Sequence, residues 1–187
     1  MGHNGLAALA LFCLACGSAP PPANGISVSP ASYDATTLTL AELSEGSAVD
    51  LVRPPQGGYV LFLAGRARGL SKPQVQLSAI LRDTDGATVA MDSRALTLVP
   101  APDDPSVLIP DLRSYTNVSN VTLCPSASAN DHVDLPFDLE LRVLELSTQR
   151  VGSTRIKVVP SCRQADAATK ANCQCECRGG FVLGKCK

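Results

Sequence analysis

The sequence predicts an all-β protein, a two-layer sandwich over residues 26–160 followed by a small disulfide-rich tail over 161–187. Three observations carry this. Short segments of apolar–polar alternation recur with turn residues between them, the period-2 pattern of a half-buried strand. Helix signals are weak across the same span. Five of the eight cysteines fall at or after Cys162, in a stretch too short to build a core of its own.

Thr36-Thr37-Leu38-Thr39-Leu40 alternates and predicts a strand. Ala41-Glu42-Leu43 suits a helix within residues 38–51, but Gly46 and the flanking β-formers oppose one. Tyr59-Val60-Leu61-Phe62-Leu63-Ala64 is a nearly continuous apolar run, as expected at a sheet centre. Gln74 to Leu81 alternates, with Val75, Leu77 and Ala79 on one face. Asp83-Thr84-Asp85-Gly86 predicts a tight turn, because Gly86 tolerates positive φ. The same residues are half of a calcium-loop pattern, but Ala87-Thr88-Val89 supplies no further carboxylate. Ala87-Thr88-Val89-Ala90-Met91 is the partner strand and Ala95-Leu96-Thr97-Leu98-Val99 the next. A loop with Pro100, Pro102 and Pro105 follows. The run from Phe137 to Leu146 alternates, with Phe137, Leu139, Leu141 and Val143 inward and charges outward. Its partner is Thr154-Arg155-Ile156-Lys157-Val158, across a turn holding Gly152. Asp166-Ala167-Ala168-Thr169-Lys170 suits a short helical turn between body and tail.

Seven to nine such strands, spaced every ten to fifteen residues or so, resemble a bacterial immunoglobulin-like domain, without the Cys…Trp…Cys signature of a true one. The resemblance implies adhesion, assembly or spacing rather than catalysis.

At the N-terminus an apolar run over residues 6–15 reaches Leu14-Ala15-Cys16-Gly17-Ser18. A run of that length fits the core of an export signal and is too short to span a bilayer. The segment resembles a bacterial lipoprotein signal, although Cys13 stands where leucine is usual and no Lys or Arg leads it. The resemblance implies a signal peptide over 1–15, lipid attachment at Cys16, and an anchored linker over 16–25 containing Pro20-Pro21-Pro22. Acyl chains on Cys16 would hold the protein to membrane lipid. Gly17-Ser18 lacks the aspartate that retains some lipoproteins on the inner membrane, so the outer membrane is the implied destination. The alternative is an ordinary secretory signal cut near Ala15 or Ala19, giving a secreted protein.

Aromatic residues are scarce, with four Phe, three Tyr and no Trp, so the core must be aliphatic. From Arg150 onward eight basic residues face Asp166 and Glu176, a net of +6; the preceding chain has eight basic and fifteen acidic residues, a net of −7. Such a division suits either mutual attraction of the two parts or a basic patch for acidic glycans or lipid head groups. No nucleic-acid motif accompanies the basic residues.

With Cys13 removed and Cys16 acylated, Cys124, Cys162, Cys173, Cys175, Cys177 and Cys186 remain, an even number that predicts three disulfides. Cys173 and Cys175 are too close to bridge comfortably. Either Cys124 pairs with Cys162 inside the body, or each of them reaches one of Cys173 and Cys175 and clamps the tail to the sandwich. The second leaves no neighbouring pair to explain. Cys175-x-Cys177-Arg178-Gly179-Gly180-Phe181-x-x-x-x-Cys186 resembles the C-terminal half of an EGF-like module, and that resemblance implies a Cys177–Cys186 bridge. A soft-metal alternative uses the alternating thiolates and Cys186 for Cu(I) or Zn²⁺, but the C-x-x-C spacing of structural zinc is missing. No metal or other cofactor is expected.

Beyond the leader the one histidine is His132, in Asn130-Asp131-His132-Val133-Asp134. With Ser126 or Ser128 it could serve a hydrolase, but no G-x-S-x-G elbow occurs and such a loop histidine is ordinarily solvated. Asn117-Val118-Ser119 and Asn120-Val121-Thr122 are glycosylation sequons, relevant only in a eukaryotic source. The expectation is a non-enzymatic envelope lipoprotein that binds an envelope protein or acidic glycan, or serves a structural role, with no catalytic residue and no nucleic-acid partner.

Overall fold

The computed structural model describes residues 25–125 and 129–186. The leader, Cys16, the linker before Gly25, Ser126 and Ser128 lie outside the described residues. The strands are β1 (Ser27–Asp34), β2 (Thr39–Glu42), β3 (Ser47–Asp50), β4 (Tyr59–Arg68), β5 (Gln74–Arg82), β6 (Thr88–Pro100), β7 (Leu108–Pro110), β8 (Ser119–Cys124), β9 (Phe137–Glu145) and β10 (Val151–Ser161). A short 3-10 turn (Tyr115–Asn117) precedes β8, and one α-helix among the described residues, α1 (Ala167–Glu176), follows the strands.

These strands form an immunoglobulin-like two-layer sandwich. One layer runs β2–β1–β4, and the far edge of β4 is shared by β8 along its first half and β7 near its end. The other runs β3–β10–β9–β5–β6, antiparallel except for the β3–β10 pair. Strand β6 joins the layers: it pairs with β5 from Thr88 to Thr97, then with β7 from Leu98 to Pro100. The two strands read separately from the sequence, Ala87 to Met91 and Ala95 to Val99, are therefore one.

Alternation places the core. Val75, Leu77, Ala79 and Leu81 of β5 and Phe137, Leu139, Leu141 and Val143 of β9 are buried against Tyr59, Leu61 and Leu63 of β4. The other face of β4 is also covered, as its unbroken apolar run requires: Val60, Phe62 and Ala64 pack with Tyr33 and Val118. Aliphatic side chains dominate, and truncating a fully buried one such as Leu141 to alanine costs about 2–5 kcal/mol.

Strand β6 lies at the edge of its layer until Thr97, and its register puts Asp92 opposite Ala79 and Arg94 opposite Leu77, on the inward face. The two charges pair at 2.7 Å. Asp92 also accepts from the Asn120 N–H at 2.9 Å and the Ser119 hydroxyl at 3.1 Å, tying β6 to β8. Inward charges on an open edge disfavour pairing with another chain.

Three local expectations are corrected. Thr36 to Leu38 form a turn rather than a strand, because the Asp34 carboxylate accepts from the Thr36 N–H at 2.7 Å and Leu38 takes φ +57°. Gly152 sits inside β10, where a Cβ would meet the Ile26 carbonyl at 2.5 Å; the turn precedes it and contains Gln149 at φ +59°. Glu145 points inward with Val143 and is fully buried, instead of outward with the other charges of β9.

That glutamate is satisfied completely. Its Oε1 accepts from the N–H groups of Ser71 at 2.7 Å and Lys72 at 2.5 Å. Its Oε2 accepts from the Thr148 hydroxyl at 2.5 Å and from Arg150 at 2.7 and 3.0 Å. Arg150 reaches on to the Gly69 carbonyl at 2.9 Å, so the β4–β5 and β9–β10 loops are drawn together. Burial alone would push the Glu145 carboxyl up, but these donors hold it at about 2.

Candidate functional site at the disulfide-clamped end

The six sequence-predicted disulfide cysteines and His132 meet at the opposite end of the sandwich. Helix α1 begins at Asp166, whose carboxylate accepts from the Thr169 N–H at 2.7 Å and its hydroxyl at 2.6 Å. Those two donors hold the Asp166 carboxyl below its ordinary range. The helix runs past the short turn expected and ends on Cys177, whose N–H donates to the Cys173 carbonyl.

The helix decides the disulfides. Cys173 and Cys177 are four residues apart, hence on one face, and both are buried against the sandwich. Cys175, midway between them, is turned away. Cys162, just past the end of β10, bonds Cys173; Cys124, at the end of β8, bonds Cys177; and Cys175 bonds Cys186. All six predicted cysteines are thus paired and the tail is clamped to the body. The partners differ from expectation at Cys124, which takes Cys177 rather than Cys173 or Cys175. The Cys177–Cys186 bridge implied by the EGF-like resemblance does not form, because Cys177 is committed to the core while Cys186 lies outside with Cys175. The thiolates of the soft-metal alternative are likewise consumed in disulfides. The Sγ atoms of Cys162, Cys173 and Cys177 lie within 4.8 Å of one another because two of the bridges are packed side by side.

Polar contacts complete the plug. Asn172 donates to the Tyr59 hydroxyl at 3.3 Å and to Glu176 at 2.8 Å. Arg53 lies 3.7 Å from Glu176 and stacks 5.8 Å over the Tyr59 ring. Gln164 donates to the Leu51 carbonyl at 2.5 Å.

His132 is buried rather than solvated. Its Nδ1 lies 3.0 Å from the Leu123 carbonyl, an arrangement that fixes a proton on Nδ1, and its ring meets Phe137 edge-on at 6.1 Å. Its backbone N–H donates to the Cys177 carbonyl at 2.8 Å. Neighbouring Asp131 accepts from the Gly179 N–H at 2.8 Å. The histidine loop thereby works as a buttress for the tail. An open groove of about 750 Å³ runs past it, lined by Asp83, Thr88, Asp131, His132, Leu135 and Phe137. The Asp83 carboxylate on its rim is occupied by the Asp85 and Ala87 N–H groups, and Gly86 has φ +83°, which makes the segment a hairpin turn rather than a cation loop. Asn117 of the first sequon donates to the Asp111 carbonyl at 2.9 Å, and Asn120 sits partly buried in β8.

Beyond α1 the chain makes a small loop closed by Cys175–Cys186. Among the described residues, Lys170, Arg178 and Lys185 enter no ion pair. The basic C-terminal stretch therefore does not fold back onto the acidic body as a whole. Arg150, Arg155, Lys157 and Arg163 do have carboxylate partners. No protein-family model matches the chain, and no curated protein matches it significantly.

Proposed function

We propose that this is a non-enzymatic lipoprotein of the cell envelope, held to membrane lipid through an acylated Cys16, probing its surroundings with the disulfide-clamped end. The observation that carries the reading is the polarity of the fold. The described chain enters beside Gly69 and Gly152 at the Glu145 end, where a Cβ on Gly69 would meet the Gly25 carbonyl at 2.7 Å. Strand β4 then crosses the molecule from Tyr59, under α1, to Arg68, beside Ser27. Ten residues at about 3.3 Å each separate the two ends by roughly 30 Å. An anchor attached through the linker before Gly25 leaves the tail on the far side of the sandwich. Three disulfides suit the oxidising compartment such a protein occupies. The partner class is an envelope protein or an acidic glycan, met by the unpaired cations of the tail.

Mass spectrometry of the protein from its native membrane fraction, without reductant, tests this. The expected result is an N-terminus at Cys16 with acyl mass; an unmodified N-terminus at another residue overturns the anchor. Labelling of a serine by fluorophosphonate probes would overturn the non-enzymatic part.

A further inference from the structure

We infer that the tip of the C-terminal loop is a membrane-contact element that inserts into an anionic bilayer surface. Leu183 is the most exposed large apolar side chain among the described residues, at 89 %, and Val182 beside it is 50 % exposed. The turn enforces this display. The Lys185 N–H donates to the Val182 carbonyl at 3.1 Å and Gly184 takes φ +82°, which puts Leu183 at the corner. The loop cannot collapse onto the body to hide its apolar residues. Cys186 is bonded to Cys175 on the outer side of α1, and Gly179 is fixed by Asp131, where a Cβ would meet the Ala129 carbonyl at 2.0 Å. The ordering cost of presenting the tip is met by folding, before any membrane is encountered.

Charge selects the occupant. Arg178 and Lys185 flank Phe181-Val182-Leu183, both without an ion pair, and residues 178–186 contain no carboxylate side chain. An apolar tip with a basic collar matches acyl chains beneath anionic head groups. The acidic excess lies in the chain before Arg150, so the same surface that attracts the tail repels the body and turns the tip toward it. This contact needs no lipid on Cys16. Together with an anchor at the opposite end it would let one molecule touch two bilayers.

The chain has no Trp, so Leu183→Trp is a single-site reporter. It is made in the chain from Gly17 onward, without the apolar leader and without the acylated cysteine, and Met91→Trp on exposed β6 is the control. Vesicles of phosphatidylcholine with phosphatidylglycerol should shift the indole emission of the Leu183→Trp protein to the blue and allow its quenching by brominated acyl chains. The emission of the Met91→Trp control should stay unchanged. Replacing both Arg178 and Lys185 by Gln should weaken partitioning about thirtyfold, equivalent to about 1 kcal/mol for each cation near an anionic surface. Absence of quenching in the Leu183→Trp protein overturns the inference, as does equal quenching in the Met91→Trp control. A response indifferent to both cations overturns it too. A shift produced by a soluble acidic polysaccharide without vesicles assigns the tip to a glycan instead. Intact mass without reductant confirms that each variant keeps its three disulfides.

Discussion

At one end of the sandwich Glu145 gathers two loops by hydrogen bonds and an ion pair with Arg150, whereas at the other Cys124 and Cys162 hold a helix by covalent bonds. Both are solutions to the same difficulty, an end of a two-layer core that strands by themselves leave open. The Glu145 end needs its donors in place and its carboxyl ionised, so it is sensitive to protons and indifferent to reductant. The tail end needs oxidised sulfur. The difference also sorts their roles: a buried, fully satisfied carboxylate with no free valence is structural, while the covalent plug leaves unpaired cations and an apolar loop facing outward.

The largest effect should come from the bridge that closes the longest loop. Replacing Cys124 and Cys177 by Ala removes a cross-link over 53 residues, a loss of ~4 kcal/mol on chain entropy, read as the shift of the urea midpoint. Next, Arg150→Ala strands a buried carboxylate and should cost about 3 kcal/mol by the same measurement, with the disulfides intact. Acid sharpens the contrast. The Glu145 carboxyl sits at about 2 in the folded protein against an ordinary 4.5, so its contribution is complete above the ordinary value and is lost as pH falls toward the folded one. Stability measured from pH 5 to 2 should therefore decline less steeply in Glu145→Gln than in the parent, and the difference between the two should persist when reductant is added. The smallest global effect belongs to the outer bridge. Replacing Cys175 and Cys186 by Ser opens a loop of 11 residues, for which chain entropy sets a ceiling of ~3 kcal/mol, and the loss read from the urea midpoint should fall below that ceiling because the loop lies outside the core. Limited proteolysis should nonetheless cut near Leu183 far faster.

Much of the body was legible because its strands obey alternation: β4, β5 and β9 coincide with the predicted runs to within a few residues. Strand β1 was not, since the alternation of Ile26-Ser27-Val28-Ser29 is brief and Pro30 and Ser32 interrupt it, and its place beside β4 is set by pairing. Residues 119–124 alternate through Val121 and Leu123, but the short segment sits among sequons and a polar loop. The burial of Glu145 was implicit in the same parity that placed Val143 inward, and the bias toward exposed charge concealed it. The pairing of sulfurs depended on whether the tail is helical. An extended C-x-C-x-C would put all three cysteines on one face, whereas a helical register sets Cys173 and Cys177 on the body and Cys175 away from it, and Asp166 with Thr169 is a modest signal for a helix start. The polar neighbours of His132 in sequence predict a solvated ring, because they say nothing about the Leu123 carbonyl and Phe137 ring that enclose it.

The lengthwise course of β1 has a mechanical consequence. Tension applied at Gly25, with the tail held at the opposite end, runs parallel to the ladder from Ser27–Arg68 to Ser32–Leu63. Those hydrogen bonds are then loaded in shear and must yield together, where a pull across the strand would peel them one at a time. The far attachment is covalent through Cys124 and Cys162, so the β1–β4 ladder is the weak link in the line of force, and rupture there frees the N-terminal strand while the plug stays closed.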